Sequence, residues 1–219
     1  MEVPALTFRP LTPDLLPDLE ALFGPRGACA GCFCMWWKTS RADFHKGQGA
    51  GNRAAMRRQV RSGVVPGVLA YLGKTPVGWC AVEPRSAYPR LARSRILAPV
   101  DDAPVWSVTC FFIAREHRGK GLTGRLLRAA AAHARGRGAR LLEAYPVDTR
   151  REQPDAFLYH GVARTFFREG FEEVARRSRT RPIMRKALTS RRPAAPRGHG
   201  LRDRVRKAAR RRTVRVPDP

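Results

Sequence analysis

Apolar residues recur along this chain at two spacings, and the switches between them mark out strands and helices. Residues 6–10 read as a short strand. Thr12, Pro13 and Asp14 then open a helix reaching about Phe23, where Gly24, Pro25 and Gly27 stop it. Beyond a segment crowded with cysteine and tryptophan, a glycine-rich turn introduces a second helix over residues 52–61. The apolar runs 67–72 and 77–82, separated by Gly73, Lys74, Thr75 and Pro76, read as a hairpin of central antiparallel strands. A polar, proline-bearing excursion over residues 84–104 follows, and connections of that length are often functional.

The stretch 105–128 passes from an apolar strand pattern, through a turn holding Arg118, Gly119, Lys120 and Gly121, into an amphipathic helix. Leu126, Leu127, Ala130, Ala131 and Ala134 give that helix its apolar face, and Gly136 and Gly138 end it. With a further strand over residues 139–145 the order is βαβ, which predicts a right-handed crossover and two parallel strands. The turn is chemically useful. The first N–H groups of a helix lack intrahelical partners and sit at the positive end of its dipole, so they can seat a phosphate. The two glycines let backbone approach a bulky anion, and Arg118 and Lys120 add charge. A ligand there lies at the carboxyl end of the first parallel strand. Residues 155–168 read as a helix capped by Gly170, with closing strands over 171–176 and 182–187.

Composition sharpens the picture in three places. At 219 residues the chain suits one domain, residues 1–188, followed by a basic tail, 189–219, whose proline, arginine and glycine content signals disorder. No apolar run approaches the roughly 20 residues a membrane helix needs, and the first residues lack the pattern of a signal peptide. The expectation is a cytoplasmic protein with no membrane partner, monomeric or homodimeric. The net charge of +25 is concentrated toward the end: from Arg185 onward there are 13 basic and 2 acidic residues. Such a block attracts nucleic acid nonspecifically, or is simply a solvated tail. Five cysteines, an odd number, fit reduced thiols better than a disulfide framework. Cys29, Cys32 and Cys34 supply only one ligand group, with His45 and Cys80 as distant candidates, so no metal is expected. They are read instead, with Met35, Trp36 and Trp37, as an apolar wall whose indoles offer a cation-π face to an amine.

In this order of elements, the chain resembles the GNAT superfamily of acetyl-CoA-dependent N-acetyltransferases over roughly residues 5–188. The family's pyrophosphate motif reads here Arg118, Gly119, Lys120, Gly121, Leu122, Thr123, with Thr123 standing where glycine or alanine is usual. The Gly170-Phe171 pair after a helix also matches, and the Gly31-Cys32-Phe33-Cys34-Met35-Trp36-Trp37 run looks like one in a bacterial subgroup. The resemblance implies an α/β (α+β) fold: a mixed, mostly antiparallel central sheet with one parallel, splayed strand pair, flanked by helices.

It further implies acetyl-CoA as co-substrate, with the backbone of Phe111, Phe112 and Ile113 on the pantetheine arm and residues 118–123 on the pyrophosphate. The reaction implied is acetyl transfer to a primary amine of a small molecule or protein. Glu143 and Glu83 are the candidate bases, each also readable as an ordinary ion-paired glutamate. The tyrosine that usually protonates the leaving thiolate falls at Phe166, which leaves Tyr159 and Tyr145 as substitutes. That departure keeps open an acyl-CoA-binding module without catalysis, and the tail keeps open a nucleic-acid-associated protein.

Overall fold

The computed structural model describes residues 5–148 and 158–188. Seven strands form one sheet in the order β1-β2-β3-β4-β5-β7-β6. These are β1 (Leu6–Pro10), β2 (Gly67–Leu72), β3 (Thr75–Pro84), β4 (Trp106–Ile113), β5 (Leu141–Ala144), β6 (Glu172–Arg176) and β7 (Pro182–Ala187). β4 and β5 are the parallel pair and every other pairing is antiparallel, so the fold is the expected mixed α/β sheet flanked by helices. The long helix α5 (Leu122–Gly136) supplies the crossover. It lays Leu126, Leu127, Ala130 and Ala134 on one face of the sheet, against Val82, Val108, Leu142 and Ala144.

On the opposite face, α1 (Leu16–Phe23) and α3 (Ala50–Arg61) pack over β2 and β3, with Leu19, Phe23, Met56 and Val60 meeting Leu69, Tyr71 and Trp79. The first predicted helix is divided: Pro13–Leu15 forms a 3-10 turn before α1 begins. Two short helices, α2 (Arg41–Lys46) and α4 (Pro89–Ala92), lie in the connections. Tyr88, Leu91 and Leu97 of the polar excursion bury themselves with Tyr145 and Ile183, giving that excursion a small core of its own.

One predicted helix is corrected. Among the described residues of that span, 158–168, only α6 (Ala163–Arg168) is helical, because Gly161 takes φ +77° and Val162 forms a parallel bridge to Val147. A left-handed residue cannot continue a right-handed helix, so Gly161 ends any helix arriving from upstream. Residues 155–157 and the tail 189–219 lie outside the described residues.

Candidate active site

The parallel pairing of β4 and β5 is short. It joins Trp106 to Leu142, Ser107 to Glu143 and Val108 to Ala144, after which β4 continues to Ile113 beside β3 alone. At the same level the β3–β4 register shifts, so that Ala81 faces Cys110 and Val82 faces Val108, with Thr109 the extra residue. A bulge of this kind disrupts the ladder and bends the strand, which suits the point where two neighbours part. The split expected from the sequence is therefore present.

Below the split a row of polar side chains crosses the sheet. Glu83 on β3, Ser107 on β4, Glu143 on β5 and Arg185 on β7 are successive cross-strand neighbours, so their side chains share one face, the one α5 does not cover. The first three are nearly inaccessible, at 3%, 0% and 0% exposure. Glu83 pairs with the ammonium of Lys38 and accepts a hydrogen bond from Gln59 Nε2 at 2.9 Å. Lys38 Nζ also sits 4.9 Å from the centre of the Tyr88 ring. Burial pushes the Glu83 carboxyl up from its ordinary value, against the pull of the Lys38 charge and the Gln59 hydrogen bond. Burial likewise pushes Lys38 down, against the attraction of Glu83. Both partners are thus held closer to giving up their charge than either would be in water.

Glu143 has denser company. Arg185 Nε donates to it at 2.8 Å, Arg85 forms an ion pair with it, and the Tyr145 hydroxyl donates to it at 2.6 Å. Tyr145 in turn lies 2.8 Å from Ser107 Oγ, and Arg85 extends to the carbonyl of Leu97 at 2.6 Å. Burial, reinforced by the Glu143 charge, pushes the Tyr145 phenol well up. Of the two candidate bases, Glu143 is enclosed by two guanidiniums and a phenol, while Glu83 has one lysine and one amide.

Beyond β5, residues 158–162 run across the opening. Phe111 N–H donates to the Tyr159 carbonyl at 2.6 Å, so the backbone donor assigned from the sequence to the pantetheine arm is engaged within the chain. The Phe111 and Phe112 side chains point to opposite faces, Phe111 toward Phe166 at 6.1 Å and Phe112 toward Phe23 at 5.3 Å, and Ile113 packs against the α5-side core. Burial raises the Tyr159 phenol to about 12, with Arg181 opposing the shift, so it stays protonated at neutral pH. Its ring stacks 4.3 Å from His160, which is buried with neither ring nitrogen hydrogen-bonded. Phe166 is fully buried and meets Phe171 edge-on at 5.2 Å.

The turn before α5 has the conformation its glycines allow. Gly119 and Gly121 both take φ +72°, and a Cβ at either position would meet open space. Gly121 is the N-cap, and no side chain caps the helix, so the first N–H groups are left for another partner. Arg118 Nε donates to the Ile113 carbonyl at 3.0 Å, tying the turn to the end of β4. Lys120 is exposed and Thr123 half-buried. Leu122 puts its side chain into the core against Gly78, leaving only its backbone to face a ligand. An uncapped fifteen-residue helix opened by two left-handed glycines fits a phosphate-bearing co-substrate.

Of the cysteine segment, Phe33, Cys34 and Met35 are buried in the core, while Cys29 is exposed and Cys32, Trp36 and Trp37 are half-buried. Trp79 Nε1 donates to Cys34 Sγ at 3.1 Å, the Cys34 thiol also interacts with Cys110 and Cys32, and all five cysteines are free thiols. Among the described residues no group of three or more His, Cys, Asp or Glu side chains is arranged to hold a metal ion. Trp36 and Trp37 do form a wall, and its occupant is Arg90, whose guanidinium lies 3.8 Å from the Trp36 ring centre and 6.0 Å from that of Trp37. A separate concavity of about 640 Å³ between α1 and α3, lined by Glu20, Phe33 and Arg53 among others, holds none of the polar row.

Lys38, Gln59, Arg90, His160, Arg181 and Arg185 were not singled out in the sequence. Only Lys38 and Arg90 carried a signal, the first by following the two tryptophans directly and the second by falling in the long polar excursion.

A family model described as the acetyltransferase (GNAT) family matches residues 33–160, more than half of the chain, and the chain belongs to that family. A search of curated proteins returns no match. Among solved structures, a GNAT-family acetyltransferase from Streptococcus agalactiae 2603 is 13% identical, covering 86% of this chain and 99% of its own, with a TM-score of 0.51. One from Listeria monocytogenes 4b F2365 is 8% identical, covering 83% and 94%, also at 0.51. A Salmonella typhimurium structure solved with its cofactor acetyl-CoA is 16% identical, covering 89% and 99%, with a TM-score of 0.49. At such identities the likeness is one of fold.

Proposed function

We propose that this protein transfers an acetyl group from acetyl-CoA to a primary amine, with Glu83 as the group that takes the amine's proton. One observation carries the reading: a buried carboxylate in a polar row lies directly below the parting of β4 and β5, on the strands that lead to an uncapped, glycine-opened helix N-terminus. Residues 118–123 hold the pyrophosphate through backbone N–H groups and nearby cations. The acetyl thioester reaches into the split. The amine nitrogen attacks the acetyl carbonyl carbon, a C–N bond forms as the C–S bond breaks, and the amine's proton passes to Glu83. The departing thiolate takes its proton from solvent or from Tyr159, since Phe166 cannot give one. Lys38 keeps Glu83 ionised until the acceptor's own ammonium competes for the same carboxylate.

The experiment is calorimetric titration with acetyl-CoA, followed by CoA release across a panel of amines. Wild-type protein is expected to bind and turn over. Gly121→Val is expected to lose at least tenfold in affinity, because valine at φ +72° is strained by about 1–2 kcal/mol and its side chain stands where the anion approaches. Neither binding nor release in the wild type overturns the reading. The buried Phe166 favours a second one, an acyl-CoA-binding module without turnover, which predicts binding with no release for any amine.

A further inference from the structure

Around Trp37, Tyr159 and His160 the structure collects buried ring nitrogens without a partner and positive charge without a carboxylate beside it. Arg90 lies flat on Trp36 and donates one N–H to the Trp36 carbonyl at 2.8 Å. Arg181 donates to the Tyr145 carbonyl at 3.2 Å, and its charge bears on both Tyr159 and His160. Arg41, at the start of α2, is close enough for its charge to oppose that of Arg90. Among the described residues none of these three arginines forms an ion pair with a carboxylate, and two of them, Arg90 and Arg181, are half-buried beside the unpartnered rings. The Trp37 indole N–H and both nitrogens of His160 are buried without any partner, and the two rings are 5.5 Å apart. His160 is only 2% exposed, and burial together with the Arg181 charge drives it well below its ordinary value, so it is neutral and offers one N–H.

A buried donor without an acceptor costs about 1–3 kcal/mol, and guanidiniums held beside one another repel. A fold that keeps several such groups at one place is arranged for a ligand rich in acceptors and negative charge. The planar guanidinium is suited to a carboxylate, which it meets with two parallel hydrogen bonds. We propose that this cluster is an anion subsite of the acceptor pocket, and that the amine acetylated by this protein also carries a carboxylate, as a free amino acid or the C-terminal residue of a short peptide does. The position agrees with that assignment. Trp36, Trp37 and Lys38 are consecutive, so the indole that carries Arg90 and the lysine that pairs with Glu83 belong to one short segment of the chain.

The inference rests on the acetyltransferase reading above, and its test separates the two. The twenty standard L-amino acids and their glycyl dipeptides are assayed by CoA release beside the corresponding C-terminal amides, which keep size and amine but lose the negative charge. N-acetylated amino acids and their amides are titrated calorimetrically, a readout that needs no turnover. The free carboxylate is expected to exceed its amide at least tenfold in kcat/KM, mostly through KM, and to bind more tightly as the acetylated product. Arg90→Gln and, separately, Arg181→Gln are expected to cut that carboxylate-to-amide ratio by tenfold or more. Equal use of amides, a ratio unmoved in both variants, turnover confined to amines without a carboxylate or with a phosphate in its place, or no carboxylate compound bound at all overturns the proposal. Any of these results obtained while acetyl-CoA still binds leaves the cofactor reading standing.

Discussion

Glu83 and Glu143 stand in one cross-strand row, on either side of Ser107, equally hidden from water. Their partners differ in kind. Glu83 faces a lysine, an amine that can lose its proton; Glu143 faces two arginines, which in proteins do not. A proton can therefore be exchanged across the first pair, whereas the guanidiniums that face Glu143 have none to give. In the function proposed above the first serves the chemistry and the second the structure, although sequence and burial give the two glutamates the same description. The lesson concerns the partner: in a buried carboxylate, function follows from whether the counter-charge is able to leave.

The largest effect that tests this contrast is on turnover. Glu83→Gln keeps the shape and the hydrogen-bonding capacity of the site but removes the proton acceptor, and kcat is expected to fall about 10²- to 10⁴-fold. Glu143→Gln, measured beside it in the same CoA-release assay, is expected to stay within about tenfold of the wild type. Equal losses, or a larger loss at Glu143, would remove the distinction between the two sites.

Stability should run the other way. Taking the charge from Glu143 leaves Arg85 without its carboxylate while Arg185 keeps Asp101, and removing one partner from a buried ion pair costs about 3–5 kcal/mol. Taking it from Glu83 strands a lysine that burial already pushes toward neutrality, so the cost is expected to be the smaller of the two. Denaturant unfolding at neutral pH reads both. A Glu83→Gln variant as unstable as Glu143→Gln would mean that Lys38 holds its charge no less firmly than the arginines hold theirs.

Much of this architecture was legible in the chain because it depends on local pattern. The hairpin of β2 and β3, the βαβ unit and the glycine turn before α5 follow from periodicity and from glycines at positions that take positive φ, and each lies close to where the sequence puts it. The helix over 155–168 was overextended because Ala, Phe and Leu on either side of Gly161 keep a helical spacing, while the bridge from Val147 to Val162 that interrupts it is tertiary. In the site, Glu83 and Glu143 stood out as acidic residues on apolar strands. Their partners did not, since Lys38 lies 45 residues from Glu83 and Arg185 lies 42 from Glu143. Nothing local marks one basic residue among 43 as the one that meets a buried carboxylate. The arginines around Trp36 were hidden by the same abundance.

The smallest effect is the most specific to the Lys38–Glu83 pair, and it is read in the pH dependence of kcat. A base works only when ionised, so the rate falls as pH drops through the pKa of Glu83. Burial raises that pKa, and the Lys38 charge holds it back. The acidic limb should therefore lie above the ordinary carboxylate range of about 4.3, and Lys38→Met, which removes the restraining charge without opening a void, should move it higher by about one unit. The acceptor's own ammonium produces a second limb at the pKa of that amine, which belongs to the substrate and should not move in the variant. A limb that shifts upward while the high-pH plateau survives identifies Glu83 as the proton acceptor and Lys38 as the group that tunes it. If Lys38→Met is instead inactive at every pH, the proton goes to the lysine, and the two ends of the pair exchange the roles given to them here.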